Sequence, residues 1–331
     1  MMKLSDFDYN LPKELIAQYP LKERDSARLM VLSRERGDIN HTIFKDITEY
    51  LRKGDLIVLN NTKVLPSRLI GSRLTGGKVE ILLLNKKDGM IFNALVKPNR
   101  IKLNEKIIFE GKKFYAVVSG KNEVTFYADN EEEIYKHGVM PLPPYIKRQA
   151  LDEDNIYYQT VYASRNGSIA SPTAGLHFTD ELISNIKSRG INIAYVTLHV
   201  GLGTFKPVKA DDISRHRMEP EYFCLPDDTI KFVQDTRLSG GRVVAVGTTS
   251  LRVLETYALK GIKTGETDLF IYPGYKFKIA DCILTNFHLP RSTLFMLTCA
   301  FAGEDFVKKA YQQAIKEKYR FYSYGDAMLI I

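Results

Sequence analysis

The sequence predicts an α/β main domain, a mixed sheet flanked by helices, with a small antiparallel β-barrel domain inserted into it. Three observations carry this expectation. Strand and helix patterns alternate after Pro144 with further strand-like runs before residue 66, the segment between holds only short strands, and that segment concentrates the excess charge. Residues 1–65 and 150–331 are therefore read as one discontinuous α/β domain, and residues 66–149 as the insert.

The elements follow in chain order. Residues 27–32 and 55–59 are apolar runs of strand length. In the insert, 79–84, 92–96, 106–109, 114–118 and 123–127 are short β-branched or aromatic runs. Turn residues such as Gly76-Gly77, Asp88-Gly89 and Lys121-Asn122 separate them, which suits a small barrel or sandwich. Pro141, Pro143 and Pro144 close the segment, since proline blocks both helix and central strand. Thr179 can cap a helix that Gly190 ends. A strand is expected over 191–198, a helix over 227–238 and a buried strand over 242–246. Further helices are expected over 250–260 and 302–318.

Composition bounds the class. Of 331 residues, 44% are hydrophobic and 26% charged, which excludes disordered and fibrous chains. No apolar run approaches the roughly 18–20 residues that a membrane-spanning helix needs. The first residues lack the apolar core of a signal peptide. Cys224, Cys282 and Cys299 are scattered without a C-x-x-C spacing, so neither a disulfide framework nor a zinc site is expected. A soluble, cytoplasmic chain is the expectation. The net charge of +8 is uneven: residues 66–149 hold 15 basic and 9 acidic side chains, a net of +6. A local positive field attracts polyanions, although a lysine-rich β surface that resists edge aggregation accounts for it equally well.

Several segments combine residue types suited to chemistry. Residues 242–246 lead through Gly247 into Thr248, Thr249 and Ser250, a strand, a tight turn and hydroxyls opening a helix, with Arg252 one turn inside. A helix N-terminus offers free N–H groups to a carboxylate or phosphate. The loop Ser171-Pro172-Thr173-Ala174-Gly175-Leu176-His177 places an imidazole among small and rigid residues. His199, His216 and His288 also fall at strand–loop or loop–helix junctions, where ligands of α/β sheets collect. The histidines show no short metal-binding spacing, so no metal is expected. Gly201-Leu202-Gly203 lacks the third glycine of a dinucleotide loop, and neither a phosphate loop nor G-x-S-x-G occurs. Asn60, Asn61, Thr62, Lys63 and Arg68 follow a buried strand and form either a polar pocket wall or an ordinary Asn-rich turn.

Taken together, the chain resembles the S-adenosylmethionine:tRNA ribosyltransferase-isomerase family of queuosine biosynthesis along nearly its whole length. The resemblance rests on Ile16-Ala17-Gln18 with Arg24-Asp25, Leu59-Asn60-Asn61-Thr62-Lys63-Val64, and Pro143-Pro144-Tyr145-Ile146. It is densest at Pro172-Thr173-Ala174-Gly175-Leu176-His177-Phe178, Thr197-Leu198-His199-Val200-Gly201, Gly247-Thr248-Thr249 and Thr285-Asn286-Phe287-His288-Leu289-Pro290-Arg291-Ser292. Two positions depart from the family pattern. Ser171 stands where alanine is expected, and Glu219 where a second histidine is expected after Met218.

The resemblance implies transfer and isomerisation of the ribosyl moiety of S-adenosylmethionine. The acceptor is 7-aminomethyl-7-deazaguanine at the wobble position of a tRNA, and the products are epoxyqueuosine-tRNA, adenine and methionine. S-adenosylmethionine is then a co-substrate, no resident cofactor is needed, and a monomer without membrane contact is expected. The sulfonium acidifies the adjacent C5′ proton, so a base must remove it, and His177 and His199 are assigned to that proton transfer. Asp25 and Thr173 are assigned to adenine departure. Gly247, Thr248 and Thr249 are assigned to the methionine carboxylate. Arg24, Asn60, Asn61, Gly175, Arg252, His288 and Arg291 complete the expected substrate contacts. Lys102, Lys106, Lys112 and Lys113 of the insert are assigned to tRNA. A non-catalytic basic RNA-binding factor, or another tRNA-modifying transferase, is the alternative.

Overall fold

A computed structural model describes residues 2–201, 203 and 208–331. In the first flank lie β1 (Arg28–Ser33), β2 (Asp38–Ile43), β3 (Leu56–Asn60) and β4 (Thr62–Val64). Next come β5 (Arg68–Arg73), β6 (Lys78–Lys86), β7 (Ile91–Lys97), β8 (Lys106–Ile108), β9 (Tyr115–Gly120) and β10 (Glu123–Tyr127). Then follow α1 (Glu131–Lys136), α2 (Asp154–Tyr157), β11 (Arg165–Ser168), α3 (Asp180–Ser188), β12 (Asn192–Leu198) and β13 (Glu221–Cys224). The chain continues through α4 (Asp227–Leu238), β14 (Val243–Val246), α5 (Gly247–Lys260), β15 (Thr264–Thr267) and β16 (Cys282–Asn286). It ends with α6 (Thr293–Ala302), α7 (Glu304–Lys316) and β17 (Ala327–Ile330).

The expected architecture is present: a large mixed sheet with helices, and a closed antiparallel barrel. The sheet has nine strands in the order β15-β13-β12-β3-β14-β16-β17-β1-β2. β12, β3, β14 and β16 run parallel at its centre. These strands are apolar on both faces, and their alternation sorts side chains into two cores. Leu56, Val58, Val243 and Ala245 join the larger core under α4, α5, α6 and α7. Ile57, Leu59, Val244 and Val246 join the smaller one under α3 and the 3-10 turn Phe44–Glu49. No helix among the described residues is long and apolar enough to cross a membrane.

The barrel closes as β10-β7-β6-β5-β8-β9 around Leu69, Ile81, Phe92, Ile107, Ala116 and Phe126. Its Arg68–Arg73 strand is not legible in the sequence, because only Leu69 of its apolar side chains is turned fully inward. The edge strand β15 with its neighbour β13, the pair β4 with β11, and the buried β16 and β17 were also absent from the expected elements. Each is only three to five residues long, so its pattern is too brief to stand out. The helix expected over 250–260 begins earlier, at Gly247, and the one expected over 302–318 is α7.

Candidate active site

A cavity of about 750 Å³ opens where β14 and β16 end. The carboxyl edge of a parallel sheet leaves room there, because the chain turns away into helices and loops. β14 delivers Gly247, Thr248 and Thr249 to the wall, and β16 delivers Asn286 and His288. Lys13 and Gln18 from the N-terminal segment, and Tyr145 and Lys147 after the barrel, line other parts.

Gly247 has φ +82°, a left-handed conformation that turns the strand directly into α5. The fourteen-residue α5 therefore starts at the cavity. The hydroxyls of Ser171 and Thr249 are buried without a hydrogen-bond partner among the described residues. Buried hydroxyls are ordinarily paired, so an unpartnered pair in a cavity wall marks a place for a polar ligand group. Rings of Tyr145 and Tyr322, with centroids 4.1 Å apart, supply aromatic wall.

Among the histidines, His288 lines this cavity. Its Nε2 bonds the Thr285 hydroxyl at 2.8 Å, its backbone N–H donates to Tyr311 at 3.0 Å, and its carbonyl accepts from the Tyr9 hydroxyl. Nδ1 has no partner among the described residues. Burial holds the imidazole down at about 3, so the ring is neutral near pH 7.

The structure separates the remaining expected residues. His177, at the end of the 3-10 turn Thr173–His177, lies behind the cavity wall, packed 4.9 Å from the Phe44 ring. Burial lowers it to about 4. It reaches the cavity only through Asn286, whose amide meets His177 Nε2 at 3.3 Å. Asn286 Oδ1 in turn accepts from the Thr173 hydroxyl at 2.9 Å. Thr173 lines the cavity, but its one proton is engaged, so it can accept from a ligand and cannot protonate a departing adenine. His199 bonds Thr62 Oγ1 at 2.7 Å and stacks on Tyr222, away from this wall. Burial lowers its pKa as well.

Six more assigned residues fall outside the cavity. Arg24 donates to the carbonyls of Ile156, Gln159 and Leu176, and neighbouring Asp25 lines a separate surface groove with Lys45 and Asp180. Asn60 bridges the backbone of Leu198 and Thr62, and Asn61 accepts from the Thr197 hydroxyl. A Cβ at Gly175 would stand 1.9 Å from the Tyr162 hydroxyl, so this glycine permits packing and does not line the cavity. Arg252 forms a buried ion pair with Glu221 and donates to the Leu269 and Thr267 carbonyls. Arg291 does line the cavity, paired with Asp8.

Of the insert lysines, Lys102, Lys112 and Lys113 are exposed on the barrel. Lys106 sits with its ammonium 3.6 Å over the Tyr115 ring. Sequence reasoning missed Asn286, Tyr145, Tyr322, Lys13 and Lys147. Asn286 and Tyr145 stood within the quoted motifs, and their motif membership was the available signal.

Comparison with known proteins places the whole chain in one family. The family model described as queuosine biosynthesis protein matches residues 4–330. The protein from Sulfurihydrogenibium sp. (strain YO3AOP1) named S-adenosylmethionine:tRNA ribosyltransferase-isomerase is 54% identical, with both chains covered in full. The protein of the same name from Caldanaerobacter subterraneus subsp. tengcongensis is 50% identical, again over the whole of both chains. The crystal structure of S-adenosylmethionine tRNA ribosyltransferase from Thermotoga maritima is 40% identical, with a TM-score of 0.59. That match covers 98% of this chain and 100% of the other.

Proposed function

The chain belongs to the queuosine biosynthesis protein family, and on that premise we propose how its cavity performs the family's reaction. It is an enzyme, an S-adenosylmethionine:tRNA ribosyltransferase-isomerase. The acceptor in this proposal is 7-aminomethyl-7-deazaguanine at the wobble position of a cytoplasmic tRNA. Its aminomethyl nitrogen bonds to the ribosyl unit, whose bonds to adenine and to the methionine sulfur break. Epoxyqueuosine-tRNA, adenine and methionine are the products. The protein acts as a monomer and without a resident cofactor.

One observation carries the assignment: a helix N-terminus, unpartnered hydroxyls and a neutral imidazole meet in one largely apolar cavity. The N–H groups at the start of α5, beside Thr248 and Thr249, suit the methionine carboxylate, because the helix end is partially positive. The Ser171 and Thr249 hydroxyls gain partners from the ligand that the protein denies them. His288 accepts the C5′ proton that the sulfonium acidifies. Burial makes the imidazole a weak base and its imidazolium a strong acid, so the uptake step leans on the acidifying sulfonium and the proton passes on readily to the departing adenine. His177 acts as a positioning residue, fixing Asn286 and through it Thr173. The barrel lysines supply electrostatic attraction for tRNA.

The test is release of free adenine from S-adenosylmethionine in the presence of the acceptor tRNA. His288→Gln keeps a polar side chain but no titratable nitrogen, and should slow single-turnover adenine release by about 10²–10⁴-fold. Wild-type rates in that variant would remove His288 from the proton path. Methylated RNA with adenosylhomocysteine would replace the ribosyl-transfer reading altogether, and absence of turnover in the wild type would favour a non-catalytic RNA binder.

A further inference from the structure

The barrel's outer face carries an arrangement that its packing does not require. Ala116 and Phe126 point into the barrel core, so strand alternation turns Tyr115 and Tyr127 outward. The two are directly paired across β9 and β10, and their rings stack with centroids 4.6 Å apart and planes 10° from parallel. On the opposite flank of β9 lies β8, which brings the Lys106 ammonium to 3.6 Å from the Tyr115 ring centre. Tyr115 is thus covered by a cation on one side and a ring on the other. Tyr127 ends the stack and remains 51% exposed.

The surroundings leave that terminal ring open. The Phe126 N–H bonds the Met90 carbonyl at 2.9 Å, which sets the Asp88-Gly89 turn beside Tyr127. Gly89 has no side chain to lay over it, and the Asp88 carboxylate is turned to its own Gly89 N–H at 2.8 Å. Lys112 and Lys113 stand exposed in the turn between β8 and β9, next to Tyr115, and form no ion pair among the described residues. Elsewhere on the barrel Arg73, Lys86 and Lys87 are paired with Glu105, Glu131 and Glu123. Glu110 and Asp129 are the acidic side chains that remain near this face.

We propose that Lys106, Tyr115 and Tyr127 form a preassembled platform on which an unpaired nucleobase of the tRNA stacks, outside the catalytic cavity. Every base presents a π-face, and stacking on an exposed aromatic is tolerant of sequence. The stack is already ordered before binding, so little side-chain freedom is lost when a base extends it. Lys106 polarises the rings from below, while Lys112 and Lys113 meet the adjoining phosphates. Single-stranded RNA loops offer such splayed bases, whereas A-form helices do not. This inference rests on the tRNA reading proposed above.

Two measurements separate the two ideas. The chain has no tryptophan, so Tyr127→Trp installs a single reporter at the end of the stack. Its emission should be quenched on addition of tRNA and should be unaffected by a fully paired RNA duplex. Tyr127→Ala should raise KM for tRNA about tenfold, with KM for S-adenosylmethionine within about twofold of wild type. Tyr127→Phe, which keeps the ring, should restore the tRNA KM. Unmoved emission with wild-type KM in Tyr127→Ala would overturn the platform and leave a cross-strand pair that only stabilises the barrel. The emission change is read without turnover, so the platform stands or falls separately from adenine release by the wild type, which tests the reaction.

Discussion

Arg252 gives the sharpest separation between a structural and a substrate-binding role. Its guanidinium and the Glu221 carboxylate are 4% and 2% exposed and form a buried ion pair. Glu221 Oε1 also accepts from the Gly201 N–H at 2.9 Å, and Arg252 donates to the Leu269 carbonyl at 3.0 Å and the Thr267 carbonyl at 3.3 Å. The pair therefore ties α5 to β13, to the end of β15 and to the loop after β12. Arg252→Met keeps most of the volume but takes the buried cation from Glu221 and leaves two carbonyls without their donor. Removing one partner of a buried pair costs about 3–5 kcal/mol. At about 2 °C per kcal/mol for a chain of this size, Tm should fall by roughly 6–10 °C. Thermal unfolding followed by circular dichroism measures that shift. KM for S-adenosylmethionine, taken well below the new Tm, should stay within about twofold. The double variant Arg252→Met with Glu221→Gln should recover part of the loss, since no buried carboxylate is then left behind. An unchanged Tm with a tenfold rise in KM would refute this reasoning and put the guanidinium on the substrate.

Other outcomes follow from the same geometry. Thr249→Val removes a buried hydroxyl that has no protein partner, so Tm should hold or rise slightly while KM for S-adenosylmethionine increases about tenfold; a falling Tm with unchanged KM would contradict this. Burial holds His177 at about 4 and His288 at about 3 in the folded chain, below the ordinary 6.5. The unfolded chain then binds more protons between pH 6.5 and those values, so the stability from neutral burial is fully present above 6.5 and is lost as pH falls towards 4 and below. Unfolding free energy measured in urea should decline through that window by on the order of 3 kcal/mol per histidine, and His177→Asn should flatten the decline. Charge reversal of Lys102, Lys106, Lys112 and Lys113 should raise KM for tRNA and reduce its salt dependence, and an unchanged salt slope would assign those lysines to solubility alone.

Much of the fold is written in local pattern. The unbroken apolar runs within Leu56–Asn60 and Val243–Val246 mark strands covered on both sides, and the insert's turn residues mark its short strands. Arg68–Arg73 escapes because its outer face carries the exposed Ile70 and its inner face Gly71, which leaves no contrast to read. The site was legible unevenly. Gly247, Thr248, Thr249, Thr173, His288 and Arg291 all line the cavity, as junction residues in an α/β sheet do. His177, Asn60 and Arg252 share the same motifs but turn their polar atoms to backbone or to other side chains. Spacing along the chain cannot tell these cases apart, because hydrogen-bond partners come from residues more than a hundred positions away, as Asn60 with Leu198 and Asn286 with His177 illustrate.

By itself the sequence determined the fold class, the basic insert and the family, since these depend on period, turn chemistry and motifs of contiguous residues. Which imidazole faces the cavity, which hydroxyls lack a partner, and that Lys106, Tyr115 and Tyr127 lie in one stack were decided only by tertiary structure. The physical reason is the same in each case. A side chain's chemistry is set by what desolvates and bonds it, and that company is assembled across strands that the chain order keeps apart.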